Sequence, residues 1–174
     1  MLEIEVKIRI DNVKAVKDRL LALGAEAVRP RHEEENVLYD FPDGRLRASH
    51  RALRLRTTGR QTMLTFKGSP QKSRSFKVRE EFETGVRDRS GMRKILAGLG
   101  LKPAFAYRKH RTILRKGKLV LALDETVVGN FLELEGKRHE IVRLAKAMGY
   151  SRADFVTADY VALILAAKER IEKA

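Results

Sequence analysis

Leu2, Ile4, Val6, Ile8 and Ile10 alternate strictly with Glu3, Glu5, Lys7 and Arg9, the period of two that a strand imposes on its side chains. One face of this first strand is apolar and the other ionic. Asp11 or Asn12 then offers an N-cap to a helix whose apolar residues Val13, Val16, Leu20 and Leu23 recur at helical spacing, and Gly24 stops it. A mixed basic and acidic stretch, Arg29 to Glu35, leads into an apolar segment, Asn36 to Phe41, and a Pro42-Asp43-Gly44 turn. Alternation returns over 52–56 and 62–67 with Gly59-Arg60 as the hairpin turn between them, and again over 75–83. Asp88 caps a second helix bearing Met92, Ile95, Leu96 and Leu99, which Gly100 ends. Three further strands are expected over 106–114, 119–123 and 130–135, with turns at Gly117 and Gly129. Helices over 138–148 and from Thr157, as its cap, to about 172 close the chain.

Some eight strands and four helices, mostly joined by hairpin-length connections, predict an antiparallel α+β protein. The helix stripes Met92, Ile95, Leu96, Leu99 and Ile141, Leu144, Met148 are expected to be core against the apolar side of the sheet. At 174 residues the chain is expected to form one domain over 1–174. No apolar run is long enough to span a bilayer and the opening segment is too charged for a secretory leader, so a cytoplasmic protein with no membrane association is expected.

Charge changes the picture. The chain holds 37 Lys+Arg against 23 Asp+Glu, a formal net charge of +14, which predicts an anionic partner. It has no Cys, which removes disulfides, thiolate nucleophiles and zinc-thiolate sites. Both signs of charge share the polar faces: Glu3, Glu5, Lys7 and Arg9, then Arg54 and Arg56, Lys67, then Lys77, Arg79, Glu81 and Glu83, then Lys109 and Arg111, Asp124, Glu133 and Glu135. Such a face can point at water, or the sheet can curl until it lines an enclosed polar lumen. The residues alone leave both arrangements open. An enclosed face would need its charges compensated by opposite sign, metal or ligand. Glu3, Glu5, Asp124, Glu133 and Glu135, joined by Glu81 and Glu83, are hard oxygen donors suited to Mg²⁺ or Mn²⁺. Lys7, Arg54, Arg56, Lys67, Arg79, Lys109 and Arg111 could hold a polyphosphate, the guanidinium groups in bidentate fashion.

These residues also resemble, in order, the motifs of a known family, the CYTH proteins or triphosphate tunnel metalloenzymes. Glu3-Ile4-Glu5-Val6-Lys7 is similar to the family's ExExK signature. The segments Ala52 to Arg56, Leu64 to Gly68, Arg79 to Glu83, Lys109 to Arg111, Leu123-Asp124 and Gly129 to Glu135 resemble its later motifs. The resemblance implies an eight-stranded antiparallel β-barrel, a triphosphate tunnel with a charged lumen and helices packed outside. It implies acids that hold divalent metal and bases that hold a triphosphate-containing small molecule. Within the family, Val6, the Asp43-Gly44-Arg45-Leu46 turn and the length look most like the class IV adenylyl cyclase (CyaB-like) type, which converts ATP to cyclic AMP and pyrophosphate. The segment Asn36 to Phe41 departs from the family, which more often has an Asp and a Thr at the ends of a Tyr-rich stretch.

The alternative reaction is hydrolysis of inorganic triphosphate, thiamine triphosphate or a nucleoside triphosphate. Resemblance to the thiamine triphosphatases gives Lys67 a catalytic part in activating water, beside its simpler reading as a phosphate clamp. A noncatalytic polyphosphate-binding module fits less well because the acidic set is retained. Nucleic-acid binding is disfavoured because carboxylates on the ionic faces would repel a phosphate backbone and aromatics are few. Neither GxxxxGK[ST] nor GxGxxG occurs, and no histidine stands in a metalloprotease or triad context. Arg9 and Lys77 are placed equally at the surface or on substrate. Tyr160 resembles a Tyr near the family's C-terminus, with packing as its expected role. The apolar surface leaves a homodimer open.

Overall fold

The computed structural model describes residues 2–172. Its elements are β1 (Leu2–Ile10), α1 (Val13–Ala22), β2 (Glu26–Asp40), α2 (Arg45–Ala48), β3 (Ala52–Thr58), β4 (Gln61–Lys67), β5 (Lys77–Val86) and α3 (Arg89–Gly98). They continue with β6 (Lys102–Lys116), β7 (Leu119–Thr126), β8 (Gly129–Glu135), α4 (Arg138–Ala147), a single 3₁₀ turn (Arg152–Asp154), β9 (Phe155–Val156) and α5 (Tyr160–Glu172). The strands hydrogen-bond in the order β5-β4-β3-β2-β6-β7-β8-β1-β9, and β5 also pairs with β1. The antiparallel sheet therefore closes on itself as an eight-stranded β-barrel, with the two-residue β9 added beside β1. Closure removes the edge strands that an open sheet would present.

The chain clusters into two compact units. One contains Glu33–Lys72 and Val78–Arg108 with the start of β1 as far as Glu3; the other contains Ile4–His32, Ser73–Lys77 and the chain from Lys109 onward. In the first, Tyr39, Leu55, Leu96 and Leu101 form a buried cluster, with Val37, Leu53, Leu64 and Met92 packed against it. In the second, Val6, Ile8, Leu121, Leu123, Leu132 and Leu134 of the strands are fully buried, as are Leu20 of α1 and Ile141 of α4. In β1 the ionic side is enclosed as well: Glu5 and Lys7 are each 3% exposed. Burial on both faces rules out, for Glu5 and Lys7, the arrangement in which the charges meet water, whereas Arg9 near the end of the strand is exposed.

Local chemistry explains most boundaries. Asn12 caps α1 by accepting from the Ala15 amide at 2.9 Å, and Asp88 caps α3 by accepting from the Gly91 amide at 3.0 Å. Gly24, at φ +82°, takes the left-handed conformation that ends α1.

Several sequence expectations are corrected. The stretch from Glu26 to Glu35 is strand, not a lead-in, so β2 runs for 15 residues. The turn after Pro42 continues into the one-turn α2, because buried Asp40 accepts from the Leu46 and Arg47 amides at 3.0 Å each. The last helix starts at Tyr160, and its cap is Asp159, which accepts from the Ala162 amide at 2.9 Å; Thr157 lies outside it. In α3 only Leu96 is buried, whereas Ile95 and Leu99 are 57% and 65% exposed. The core stripe of that helix is thus Met92 and Leu96, and the other two face solvent.

Candidate active site

Because alternate residues of a strand share a face, pairing register decides which charges meet. β1 and β8 are antiparallel with Lys7 opposite Glu133 and Glu5 opposite Glu135. The Lys7 ammonium lies 3.1 Å from Glu5 Oε1 and 3.3 Å from Glu133 Oε2, one cation between two carboxylates. Burial opposes the charge on Lys7, but Glu5 and Glu133 outweigh it and hold its pKa above the ordinary lysine value. Lys77, 7% exposed, approaches Glu5 Oε1 at 3.8 Å and Asp159 Oδ2 at 3.5 Å. It therefore belongs to the buried face and not to the surface. Arg9 is exposed; its guanidinium lies over the Phe131 ring at 4.8 Å and donates to the Val128 carbonyl at 2.8 Å.

A second node forms where β6 meets β7, with Arg111 opposite Asp124. Asp124 is wholly buried, and its two oxygens accept from Arg111 Nε and Nη2 at 2.6 Å each and from Lys109 Nζ at 2.9 Å. The Tyr160 hydroxyl donates to the same carboxylate at 2.6 Å. Burial would raise the Asp124 pKa, yet the Arg111 and Lys109 charges pull it down to about 2. Tyr160 moves the opposite way: burial, then the Glu133 and Asp124 charges, push its pKa well above the usual phenol value, so it stays a donor. Arg111 Nη2 also reaches Glu133 Oε1 at 3.1 Å, which joins this node to Lys7. The Tyr160 ring lies 5.3 Å from the Lys7 ammonium and 4.7 Å from that of Lys109.

The other unit repeats the motif of one lysine between two carboxylates. Lys67 Nζ donates to Glu3 Oε1 and Oε2 at 2.8 and 3.0 Å and also contacts Glu81, its cross-strand neighbour on β5. Arg79 Nε stands 3.5 Å from Glu3 Oε2. Burial works against the charge on Glu81, but a hydrogen bond with Glu3 and the Lys67 ammonium keep its carboxyl below the ordinary range. Across β3, β4 and β5 the register aligns Arg54, Thr65 and Glu83. Thr65 donates to Glu83 at 2.7 Å and accepts from Arg54 at 3.4 Å. Arg56, opposite Asn36 on β2, donates to its Oδ1 at 3.0 Å and pairs with Glu34 at 3.3 Å.

The sequence-derived cations thus fall in two groups: Lys7, Lys109 and Arg111 in one unit, and Arg54, Arg56, Lys67 and Arg79 in the other. Of the acids, Glu5, Asp124 and Glu133 meet in the first group and Glu3 stands in the second, while Glu135 is half-buried on β8 across from Glu5. Among the described residues no three His, Asp or Glu side chains converge in an arrangement ready for a metal. The donor chemistry nevertheless fits a hard divalent cation: Glu5 and Glu133 already converge on a single positive charge, as do Glu3 and Glu81. Asp124 is already saturated by three donor side chains.

Sequence reasoning passed over Glu34, Asn36 and Thr65, all buried partners of the arginines. Asn36 and Thr65 lie two residues from predicted partners or directly across from them, so the alternation that marked the charges could have marked these uncharged members too. Tyr160 gave a weaker signal, because nothing local says that a helix start reaches a strand face.

Residues 1–154 match the family model described as the CYTH domain. A protein of Methanocaldococcus jannaschii named putative adenylate cyclase MJ0240 is 29% identical over 174 residues, covering 94% of this chain and 98% of that protein. Among solved structures, a putative adenylate cyclase from Vibrio parahaemolyticus superposes with a TM-score of 0.84 at 22% identity, over 94% of this chain and 98% of the other. The Hippeastrum protein HpAC1, whose structure is titled as a putative adenylyl cyclase with a dominant triphosphatase activity, gives a TM-score of 0.73 at 20% identity over 95% and 96% of the two chains. The last two likenesses concern the fold alone. With the family model matched over most of its length, an ExExK opening and a closed barrel whose strands pair buried charges of both signs, this chain belongs to the CYTH domain family.

Proposed function

We propose that this chain binds a triphosphate together with a divalent cation and cleaves a phosphoanhydride bond in it. The observation that carries the reading is a buried ladder of alternating signs in each unit, in which Lys7, Lys109 and Arg111, and separately Lys67 and Arg79, are held by carboxylates and aimed by strand register. Such a ladder costs desolvation that its internal pairs only partly repay, so its retention points to a ligand that exchanges with one sign of charge. A phosphate chain does this by taking the Lys and Arg donors, which releases the carboxylates for metal.

Lys7, Arg54, Arg56, Lys67, Arg79, Lys109 and Arg111 would hold the phosphate oxygens and orient the chain. Glu3, Glu5, Glu133 and Glu135, with Asp124 behind them, would hold Mg²⁺ or Mn²⁺, which supplies charge neutralisation on the phosphates when bound. Positioning and electrostatics then account for most of the rate in phosphoryl and nucleotidyl transfer. Tyr160 and Asp124 keep Lys109 and Arg111 in place, a positioning role. Lys67, paired with Glu3 and Glu81, would serve as a phosphate clamp.

Similarity to the Methanocaldococcus protein over nearly its whole length favours ATP as substrate. In that reaction the ribose 3′ oxygen bonds to the α-phosphorus, the bond from that phosphorus to the bridging oxygen breaks, and pyrophosphate leaves with the electron pair while the hydroxyl proton is released. The second reading, hydrolysis at the terminal phosphorus, is favoured by the triphosphatase activity stated for the Hippeastrum relative, which shares the fold. Product analysis after incubation with ATP separates them: cyclic AMP with equimolar pyrophosphate supports cyclisation, and orthophosphate without cyclic AMP refutes it in favour of hydrolysis.

A further inference from the structure

Away from the ladder, α4 carries a second concentration of positive charge. Arg138, His139, Val142, Arg143 and Lys146 are spaced so that they share one side of the helix, while Ile141, Leu144, Ala145 and Met148 are buried on the other. With Ser73 to Phe76, just before β5, and Arg152 of the 3₁₀ turn, that side lines a groove of about 670 Å³. Among the described residues no carboxylate lines it. Among the described residues none of Arg74, Arg138, Arg143, Lys146 and Arg152 forms an ion pair, whereas the cations of the ladder are held by carboxylates.

Five cations around one concavity with no internal anion raise the local potential and favour a multiply charged anion. The groove is of the size that encloses a small molecule. Arg138 to Lys146 spans about 12 Å along the helix axis, the reach of a short phosphate chain and not of a single phosphate. Four guanidinium groups offer bidentate donors, and Ser73 and Ser75 add hydroxyls. The groove offers no open aromatic face for a nucleobase: Phe76 is 7% exposed, with Phe155 edge-on at 5.9 Å and the Arg138 guanidinium 5.8 Å from its ring centre.

We propose that this groove is a second anion site, distinct from the residues around Lys7, which binds a condensed oligophosphate such as inorganic triphosphate. The test is calorimetric titration of the full-length protein with inorganic triphosphate, comparing the unaltered chain, the exposed pair Arg143→Glu/Lys146→Glu, and Lys7→Ala. The groove variant is expected to lose one equivalent of triphosphate or bind it about tenfold or more weakly, while melting and turnover stay unchanged. Lys7→Ala is expected to retain that equivalent. Failure of the proposed catalytic function would leave the unaltered chain with the groove equivalent alone, so the two readings fail separately. Unchanged stoichiometry and affinity in the groove variant would overturn the proposal, as would loss of turnover with it, which would make the groove part of the catalytic site. So would a short single-stranded DNA that binds the Lys7→Ala protein more tightly than triphosphate does and is lost in the groove variant; the occupant would then be a nucleic-acid backbone.

Discussion

Asp124→Asn keeps the shape of the most connected buried side chain and removes its charge. Asp124 is 0% exposed and receives Lys109, both nitrogens of the Arg111 fork and the Tyr160 hydroxyl. Lys109 and Arg111 would lose this negative charge while the Lys109 ammonium remains buried, and Arg111 would still reach Glu133 at 3.1 Å. Removing one partner of a buried pair costs about 3–5 kcal/mol. At this chain length each kcal/mol moves the melting midpoint by about 2–4 °C, so a fall of about 6–20 °C is expected. The pH dependence gives an independent check. The folded Asp124 pKa of about 2 lies below its unfolded value, so its contribution is complete above that unfolded value and drains away as pH falls towards about 2. Integrated over this interval it amounts to about 2 kcal/mol. Urea unfolding from pH 5 down to pH 2 should show the unaltered chain losing that stability more than Asp124→Asn does. A variant that melts within about 2 °C of the unaltered protein, with a parallel pH profile, would refute the assignment of Asp124 as the anchor of the buried cations.

Tyr160→Phe removes one hydrogen bond to a charged group and is expected to cost about 1.5–3 kcal/mol in urea unfolding, with turnover lowered through misplaced Lys109 and Arg111. Arg54→Ala or Lys7→Ala should weaken triphosphate binding about tenfold or more, read by calorimetry at fixed salt once melting curves show a folded protein. Glu5→Gln or Glu133→Gln should lower metal-dependent turnover and raise the Mn²⁺ concentration needed for half-maximal rate; unchanged metal dependence in both would remove them from the metal set. In α3, Leu96→Ala is expected to cost about 2–5 kcal/mol whereas Leu99→Ser stays within about 0.5 kcal/mol, as urea unfolding would show.

Much of the molecule was legible because its strands are unusually explicit. Alternation in Leu2–Ile10 marks both the strand and its face, and once the register is known the same rule brings Lys7 opposite Glu133 and Arg111 opposite Asp124. The register itself is a tertiary property, so which carboxylate meets which cation was not readable. Local signals also failed where the partner is distant in sequence: Asp40 folds back to cap α2, six and seven residues on, and Tyr160 reaches a carboxylate 36 residues earlier. Leu99 shows the converse limit. Helical spacing fixes which residues share a stripe, but not how much of that stripe the sheet covers, and here coverage stops at Leu96. The uncharged Asn36 and Thr65 were missed because a search for ions overlooks the neutral groups that orient them.

The proposed function has the buried opposite charges hold a metal-bound triphosphate for cleavage. Its most direct test incubates the purified protein with inorganic triphosphate and with ATP, each with Mg²⁺, Mn²⁺ or EDTA, in parallel with Glu133→Gln and Arg54→Ala proteins that melt cooperatively. Product is expected from at least one triphosphate with metal and none with EDTA, with a marked loss of rate in both variants. Absence of product from either substrate in the folded, metal-supplied protein, or full activity in both variants, would contradict it.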